Sequence, residues 1–279
     1  MKFLDVKTDY AFKRVFGSQQ SKPLLIEFLN ALLDYPPEQQ IVELEIVDPY
    51  QIPLLKGMKD SFVDVKATLS NGSQVIIEMQ VLNVPGFEQR ILYNAAKQYS
   101  VQLKQGEDYH LLNPVIAITF TDFTLFSDEK LKSQYISHYK LIEKSTLVEY
   151  KDDIELIFIE LPKFTLSLPE LTDIRQKWIW FVQNAGKLNT TPEQLNSLGL
   201  KLALELSNES SLTEEELEIQ QKRRDFIWMQ RGSLEKAHQG GRQEGLKEGR
   251  EDGLNEALQR LIESGMNESQ ARQILFGGE

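Results

Sequence analysis

Residues 64–80 read DVKATLSNGSQVIIEMQ and form two alternating runs of apolar and polar residues around an Asn-Gly pair. Such runs, separated by Asn-Gly, are typical of a β-hairpin. The first run opens with Asp64, and the second closes with Glu78, Met79 and Gln80. Carboxylates at matching ends of two adjacent strands leave two interpretations open, a metal site or a polar edge of the sheet.

The length of the loop decides which residues of this hairpin share a face. A two-residue turn at Asn71-Gly72 would place Asp64 opposite Met79 and mix charged with apolar residues on both faces. A three-residue loop, Ser70-Asn71-Gly72, with Gly72 in the left-handed region as a bulge, places Asp64 opposite Glu78. We predict this second register because it separates the two kinds of residue. One face then carries Val63, Val65, Ala67, Leu69, Val75, Ile77 and Met79, and the other carries Asp64, Lys66, Thr68, Gln74, Glu78 and Gln80.

In this register the Cβ atoms of Asp64 and Glu78 are expected about 4.5–5.5 Å apart. Two like charges at that distance repel each other. A bound divalent cation would relieve the repulsion and use oxygens from both side chains. The alternative is an exposed polar face that tolerates the pair.

The composition excludes several kinds of site. The 279-residue chain has no cysteine, which excludes disulfides, zinc–thiolate sites, iron–sulfur clusters and cysteine nucleophiles. Its three histidines are scattered, so a bound metal is expected to be hard and held by oxygen, as Mg²⁺ is. The net charge of −11 argues against a large nonspecific basic surface but allows a local basic groove.

The chain shows no sign of membrane insertion or secretion. No apolar run approaches the roughly 20 residues that span a bilayer. The first residues, MKFLDVKTDYAFKR, lack the apolar stretch of a signal peptide. We therefore expect a cytoplasmic protein that does not contact the membrane.

The order of predicted elements indicates a mixed α/β fold. Two short helices precede the hairpin, a helix follows it, and the pattern turns helical after about residue 165. The other predicted strands lie at 41–48, 114–121, 134–142 and 154–161, and the other predicted helices at 86–105, 172–184, 192–207 and 213–231. We expect a core at 1–165, a helical extension packed on it at 166–232, and a Gly/Glu-rich tail with a short terminal helix at 233–279.

The tail has a glycine at every fourth position, from Gly241 to Gly253. Each glycine costs a helix roughly 0.5–1 kcal/mol against alanine. One interpretation is a flexible linker, and the other is a helix whose glycine stripe lets a second helix approach closely. We expect a partly helical segment and self-association of the chain as a homodimer through this C-terminal region.

Four stretches, in this order, resemble the recombination-promoting nuclease and putative transposase family of the PD-(D/E)XK nuclease superfamily. They are TDYAFKRVFG at 8–17, DVKATLSNG at 64–72, VIIEMQ at 75–80 and QRILYNAAKQYSVQLKQGEDY at 89–109. The resemblance covers roughly residues 5–165, and the tail is similar to tails in the same group. It implies an α/β, restriction-endonuclease-like fold, a mixed sheet flanked by helices, with a helical C-terminal extension.

The resemblance also implies roles for the hairpin residues. Asp64 and Glu78 would bind Mg²⁺ or another divalent cation such as Mn²⁺, and the backbone carbonyl of Met79 would be a further ligand. Gln80 occupies the position of the superfamily's lysine, a substitution that the family itself shows. Two residues of the first helix, Asp9 and Lys13, match the family motif and would face this site.

Gln80 is neutral, so it can orient water or phosphate by hydrogen bonds but supplies no positive charge. Lys13, Lys56 and Lys66 are candidate sources of that charge, although each can equally be a solvated surface lysine. In the predicted helix 86–105, Gln89 and Tyr93 would approach the site, and Arg90 or Lys97 would contact DNA phosphate. The alternative for this helix is a tyrosine packed on the sheet beside a solvated basic edge.

The leading hypothesis is a metal-dependent DNA endonuclease that acts in recombination or mobile-element processes. The intact set of Asp64, Glu78 and Gln80 on one predicted face favours it. The missing lysine and the acidic net charge favour a second hypothesis, a catalytically weak or inactive protein that keeps the fold and binds DNA or a partner. A third hypothesis is the same chemistry on RNA.

Overall fold

A computed structural model of the protein describes residues 2–51 and 61–277. Lys56, one of the three candidate sources of positive charge, lies outside these described residues. The chain divides into two units, Met1–Arg224 and Asp225–Glu279. The candidate site residues all belong to the first unit.

The helices and strands follow the predicted order. The helices are α1 (Asp9–Phe16), α2 (Lys22–Leu33), α3 (Phe87–Ser100), α4 (Ile174–Asn184), α5 (Leu198–Ser207), α6 (Glu214–Glu263) and α7 (Glu268–Phe276). The strands are β1 (Leu44–Val47), β2 (Tyr50–Gln51), β3 (Ser61–Phe62), β4 (Val65–Leu69), β5 (Gln74–Gln80), β6 (Val115–Thr121), β7 (Ile136–Tyr139) and β8 (Ile154–Glu160). Short 3₁₀ turns lie between several of them.

A mixed sheet of six strands forms the centre of the first unit, in the order β1-β4-β5-β6-β8-β7. β5, β6 and β8 run parallel to one another, whereas β1, β4 and β7 join by antiparallel pairing. β2 and β3 form a separate antiparallel pair. This architecture confirms the predicted mixed sheet flanked by helices.

The helices cover the sheet on both faces. On one face, the apolar side chains of β4 and β5, such as Val65 and Ile77, join a cluster with Phe12 of α1, Phe28 of α2 and Trp178 of α4. On the other face, residues of α3 pack on the sheet in a second cluster that includes Ile76, Phe87, Ile91, Ala95 and Val115. The polar face of the hairpin is therefore covered by α3 and is not an exposed edge.

The predicted register of the hairpin is confirmed from Val65 to Leu69, but the predicted pairing of Asp64 with Glu78 is wrong, because Asp64 bonds to Ile77 instead. Thr68 pairs with Gln74 and Val65 pairs with Ile77. The amide of Leu69 donates to the carbonyl of Ser73 at 2.9 Å, which closes a three-residue loop. Gly72 has a φ of +88°, in the left-handed region that glycine adopts without strain.

The strand departs from this regular pattern at Asp64. The amide of Asp64 donates to the carbonyl of Ile77 at 3.1 Å, although Ile77 is already the partner of Val65. Asp64 and Val65 on one strand therefore both lie opposite Ile77 on the other, which is the arrangement of a β-bulge. The bulge reverses the alternation, and Val63 packs in the cluster with α3 instead of on the face of Val65, where we expected it.

Three helices differ in length from the prediction. α5 begins at Leu198 instead of 192, with Ser197 as its N-cap. α3 ends at Ser100 instead of Gln105, because the side-chain amide of Gln102 bonds to both backbone groups of Asn113 and draws the chain away from the helix axis. α6 continues as one helix through the glycine-rich segment, where we expected a partly helical one. Acidic residues in its first turn and i,i+4 ion pairs such as Lys222–Glu218 stabilise this helix.

Candidate active site

The carboxylate of Asp64 lies where α1 meets the hairpin. Its Oδ2 accepts a hydrogen bond from the amide of Met79 at 2.8 Å, so it lies against the peptide that joins Glu78 to Met79. Its Oδ1 is 3.5 Å from Nζ of Lys13, which is also 2.8 Å from Oδ1 of Asp9. The structure thus brings together four of the predicted site residues, Asp9, Lys13, Asp64 and Met79.

Burial has the largest effect on the pKa of Asp64. It raises the pKa of Asp64 to about 7, and the nearby Asp9 carboxylate acts in the same direction, against the Met79 amide and Lys13. Burial also raises the pKa of Asp9, but hydrogen bonds with Lys13 and Asp64 outweigh it and hold that pKa below its usual value. Burial lowers the pKa of Lys13, and its two acidic neighbours more than compensate, so the ammonium stays charged.

Glu78 is held from the opposite side, by α3. Asn94 Nδ2 donates to Glu78 Oε1 at 2.6 Å, and Arg90 Nη2 donates to Glu78 Oε2 at 3.4 Å. The side chain of Glu78 is only 9% exposed. Burial raises its pKa, and the contacts with Asn94 and Arg90 only partly offset that effect. Asp64 and Glu78 are therefore two buried carboxylates, each with less positive charge nearby than full ionisation requires.

The side chain of Gln80 contacts the guanidinium of Arg90, for which the sequence predicted a different role. Arg90 Nη2 donates to Gln80 Oε1 at 2.7 Å, while Gln80 Nε2 donates to the carbonyl of Leu82 at 2.6 Å. The guanidinium also lies over the ring of Phe87, 5.3 Å from its centroid. Arg90 thus puts a positive charge beside Gln80, whereas the sequence had indicated only a contact with DNA phosphate.

Four other predicted residues, Lys66, Gln89, Tyr93 and Lys97, differ in how far they are exposed. Lys66 is half-buried, and the charge that acts on it is that of Asp48. Gln89 and Tyr93 are exposed on the outer side of α3. Lys97, a candidate for phosphate contact, is buried with 3% exposure, so it is not available on the surface for DNA.

Two residues near the site were missed from the sequence. Asn94 is 1% exposed and contacts Glu78 directly. Arg223, in the first turns of α6, has Nη2 3.6 Å from Asp9 Oδ2. A polar residue at a buried helical position could have indicated Asn94, and the basic run Lys222-Arg223-Arg224 could have indicated the second residue.

The first turns of α6 are fixed to α1 by polar contacts. Thr8 Oγ1 donates to Gln220 Oε1 at 3.0 Å in a buried contact, and the hydroxyl of Tyr10 donates to Glu216. Arg14 also pairs with Glu216. These contacts, made by residues of the first unit, determine where Arg223 lies relative to Asp9.

The donor atoms suit a hard divalent cation. Within residues 2–51 and 61–277, no three His, Cys, Asp or Glu side chains are grouped so that they could hold a metal ion. A cation here would therefore use the oxygens of Asp64 and Glu78, the expected Met79 carbonyl and water, which suits Mg²⁺ because it keeps several waters. The raised pKa of both carboxylates supports this fit, since a cation would supply the missing positive charge.

The mixed sheet, the helices on both faces and the polar cluster at the end of β5 together define a PD-(D/E)XK restriction-endonuclease-like fold. The model of a family described as PD-(D/E)XK nuclease family transposase matches residues 6–237. This match covers most of the chain, so the protein belongs to that family. Searches of curated proteins and of solved structures gave no match.

Membership of this family indicates nuclease-type chemistry and a DNA substrate. Nucleases of the PD-(D/E)XK type generally use divalent cations, in agreement with the oxygen donors described above. In the described part of the chain, no helix combines the length and apolar character needed to cross a membrane.

Proposed function

We propose that the protein is a Mg²⁺- or Mn²⁺-dependent DNA endonuclease that hydrolyses phosphodiester bonds in recombination or mobile-element processes. The observation that carries this proposal is a pair of largely buried carboxylates, Asp64 and Glu78, whose side chains are 15% and 9% exposed. Asp64 Oδ2 accepts a hydrogen bond at 2.8 Å from the amide of Met79, the residue that follows Glu78. Burial of two acidic groups is costly unless a cation accompanies them. Their positions, directly before β4 and within β5, are also the ones that the family resemblance implies.

Each residue would have a separate task. Asp64, Glu78 and the Met79 carbonyl would hold the cation, which when bound lowers the pKa of water and stabilises negative charge on the phosphate. Arg90, held against Gln80, would supply the positive charge that a lysine supplies elsewhere in the superfamily, and Gln80 would orient water or phosphate. Lys13, fixed between Asp9 and Asp64, would balance the negative charge on the α1 side.

The contacts with the rest of the DNA would lie around this centre. Arg223 is half-exposed beside Asp9 and suits a backbone phosphate, as do the exposed Gln89 and Tyr93 on α3 and the half-buried Lys66. Such contacts position the nucleic acid without reading its sequence. Arg223 and Lys66 would supply the local positive charge that a chain with a net charge of −11 needs in order to bind DNA.

The proposal is tested by nicking of supercoiled plasmid with Mg²⁺ or Mn²⁺. Wild type should nick the plasmid only with metal, and Asp64→Asn and Glu78→Gln should not. Asp108→Asn is the matched control, because Asp108 is exposed and far along the chain from the hairpin. Equal cutting by wild type, Asp64→Asn and Glu78→Gln would contradict the assigned site.

One observation favours the second candidate, a protein that binds DNA without cutting it. Both oxygens of Glu78 and both polar atoms of the Gln80 side chain already have partners within the protein. This candidate predicts metal-independent DNA binding by all of these variants and no cleavage by wild type. Parallel assays with single-stranded RNA distinguish the RNA hypothesis, which predicts metal-dependent cleavage of RNA but not of plasmid.

A further inference from the structure

Glu78 is held by two residues that lie one helical turn apart on α3. Arg90 and Asn94 are four positions apart, so their side chains leave the same side of the helix. Asn94 Nδ2 contacts Oε1 of Glu78 at 2.6 Å, and Arg90 Nη2 contacts Oε2 at 3.4 Å. The orientation of the carboxylate is therefore set from α3 and not by the strand that carries it.

Asn94 makes the shorter of these contacts and is the more buried of the two residues. Only 1% of it is exposed, whereas 41% of the Arg90 side chain is exposed. The Arg90 guanidinium is also shared with Gln80, at a shorter distance of 2.7 Å. Within residues 2–51 and 61–277, the only hydrogen bond of the Asn94 side chain is thus the one to Glu78.

The carbonyl oxygen of the Asn94 side chain has a second property. Oδ1 is buried and has no hydrogen-bond donor within the described part of the chain. A buried acceptor without a donor costs about 1–3 kcal/mol. A fold that needed only an inert spacer between Ile91 and Ala95 would place an apolar residue here, so the amide has a use that offsets this cost.

We infer that Asn94 is a positioning residue that holds the Glu78 carboxylate in the orientation needed to bind a divalent cation. The inference rests on the proposed function, because it assumes that Glu78 is a metal ligand. A neutral amide suits this task, since it donates a hydrogen bond without a positive charge that would repel the cation. Outer contacts of this kind orient metal-binding carboxylates, and their loss weakens metal affinity about 10- to 100-fold.

The helix offers a matched control one turn further on. Gln98 is 3% exposed, has the same amide group and also has a buried carbonyl oxygen that meets no donor among the residues that the structure describes. Its amide donates to Gln74 at 3.5 Å and not to Glu78. A general effect of removing a buried amide from α3 would therefore appear equally in variants of both residues.

The experiment measures Mn²⁺ binding to the full chain by calorimetry and by electron paramagnetic resonance, without DNA. Asn94→Leu removes the amide at nearly constant volume and should raise the Kd for Mn²⁺ about 10- to 100-fold. Gln98→Leu should leave that Kd unchanged. Asn94→Gln, which keeps the donor on a longer side chain, should bind Mn²⁺ with intermediate affinity and serves in place of Asn94→Leu if the latter does not fold.

Several results would overturn the inference. The first is a wild-type Kd for Mn²⁺ in folded Asn94→Leu, or in Asn94→Gln if Asn94→Leu does not fold. The second is an equal rise of that Kd in Gln98→Leu. The third is a wild type that binds no Mn²⁺ at millimolar concentration. The failure of the proposed function looks different. A wild type that binds Mn²⁺, depends on Asn94 for it and yet cuts no nucleic acid would remove the endonuclease proposal and leave the role of Asn94 intact.

Discussion

Replacement of Asp64 with asparagine should stabilise the metal-free protein even though it removes a proposed metal ligand. Burial raises the pKa of Asp64 to about 7 in the folded chain, against an ordinary value of 3.8. Below the ordinary pKa the side chain is protonated in both the folded and unfolded states, so its ionisation does not affect stability. As the pH rises towards 7, the unfolded chain loses the proton first and becomes relatively more stable.

The size of this effect follows from the two pKa values. Each pH unit between them is worth about 1.4 kcal/mol, so wild type should lose up to about 4 kcal/mol through this group by pH 7 and above. Asparagine has the same shape, can still meet Lys13 and does not ionise. The free energy of unfolding of Asp64→Asn should therefore exceed that of wild type by a few kcal/mol at pH 8, and by much less at pH 4.

Urea denaturation in EDTA at pH 4, 6 and 8 would measure the difference. Asp108→Asn, an exposed carboxylate, should show no such pH-dependent gain. Saturating Mn²⁺ should reverse the order at pH 8, because only wild type would gain stability from metal binding. A difference between wild type and Asp64→Asn that does not change with pH would refute the assigned pKa and the idea that the site has unmet negative charge.

Three further predictions concern charge and backbone. Arg90→Ala should lower the rate of cleavage about 100-fold at saturating DNA, and Arg90→Lys should retain more activity, because the positive charge beside Gln80 is what matters. Arg223→Ala should weaken DNA binding and reduce the slope of log K against log salt by about 1, as expected for a lost phosphate contact. Gly72→Ala should destabilise the protein in urea by more than about 1 kcal/mol, because Gly72 has positive φ and a Cβ there would lie 2.3 Å from Asn113 Oδ1.

Each of these has a control of the same chemical type. Lys104→Ala removes an exposed cation beyond the end of α3 and should not change the cleavage rate. Lys222→Ala removes the neighbour of Arg223, which is paired with Glu218, and should leave the salt slope almost unchanged. Gly245 has open space where a Cβ would stand, so Gly245→Ala should increase helix content. Equal effects in a variant and its control would contradict the corresponding prediction.

The sequence predicted those features that depend on neighbouring residues. The two-residue period of the strands and the chemistry of Asn71-Gly72 were enough to give the register of the hairpin from Val65 to Leu69, because a slip of one residue would have mixed polar and apolar side chains on each face. The match of the first helix to a family motif placed Asp9 and Lys13 correctly beside Asp64. The sequence does not show the bulge at Asp64, which depends on how the strand leaves the ladder.

The role of Arg90 and the presence of Arg223 depend on tertiary packing. Arg90 occupies the border of the apolar face formed by Phe87 and Ile91, a position from which an arginine can reach either solvent or the strand. Asn94 lies three residues after Ile91, where the helical period calls for an apolar residue, and that mismatch was a readable signal. Nothing local links Arg223 to Asp9, since more than two hundred residues separate them.

The contacts of α1 with the start of α6 have a consequence for synthesis of the protein in the cell. Tyr10 and Glu216 are 206 positions apart. At a translation speed of about 5–20 residues per second, the ribosome makes Glu216 roughly 10–40 seconds after Tyr10. Nascent chains that end before residue 216 lack both Glu216 and Arg223. The proposed site would therefore be complete only after residue 223 has left the ribosome, so the proposed cleavage of nearby nucleic acid would be delayed until then.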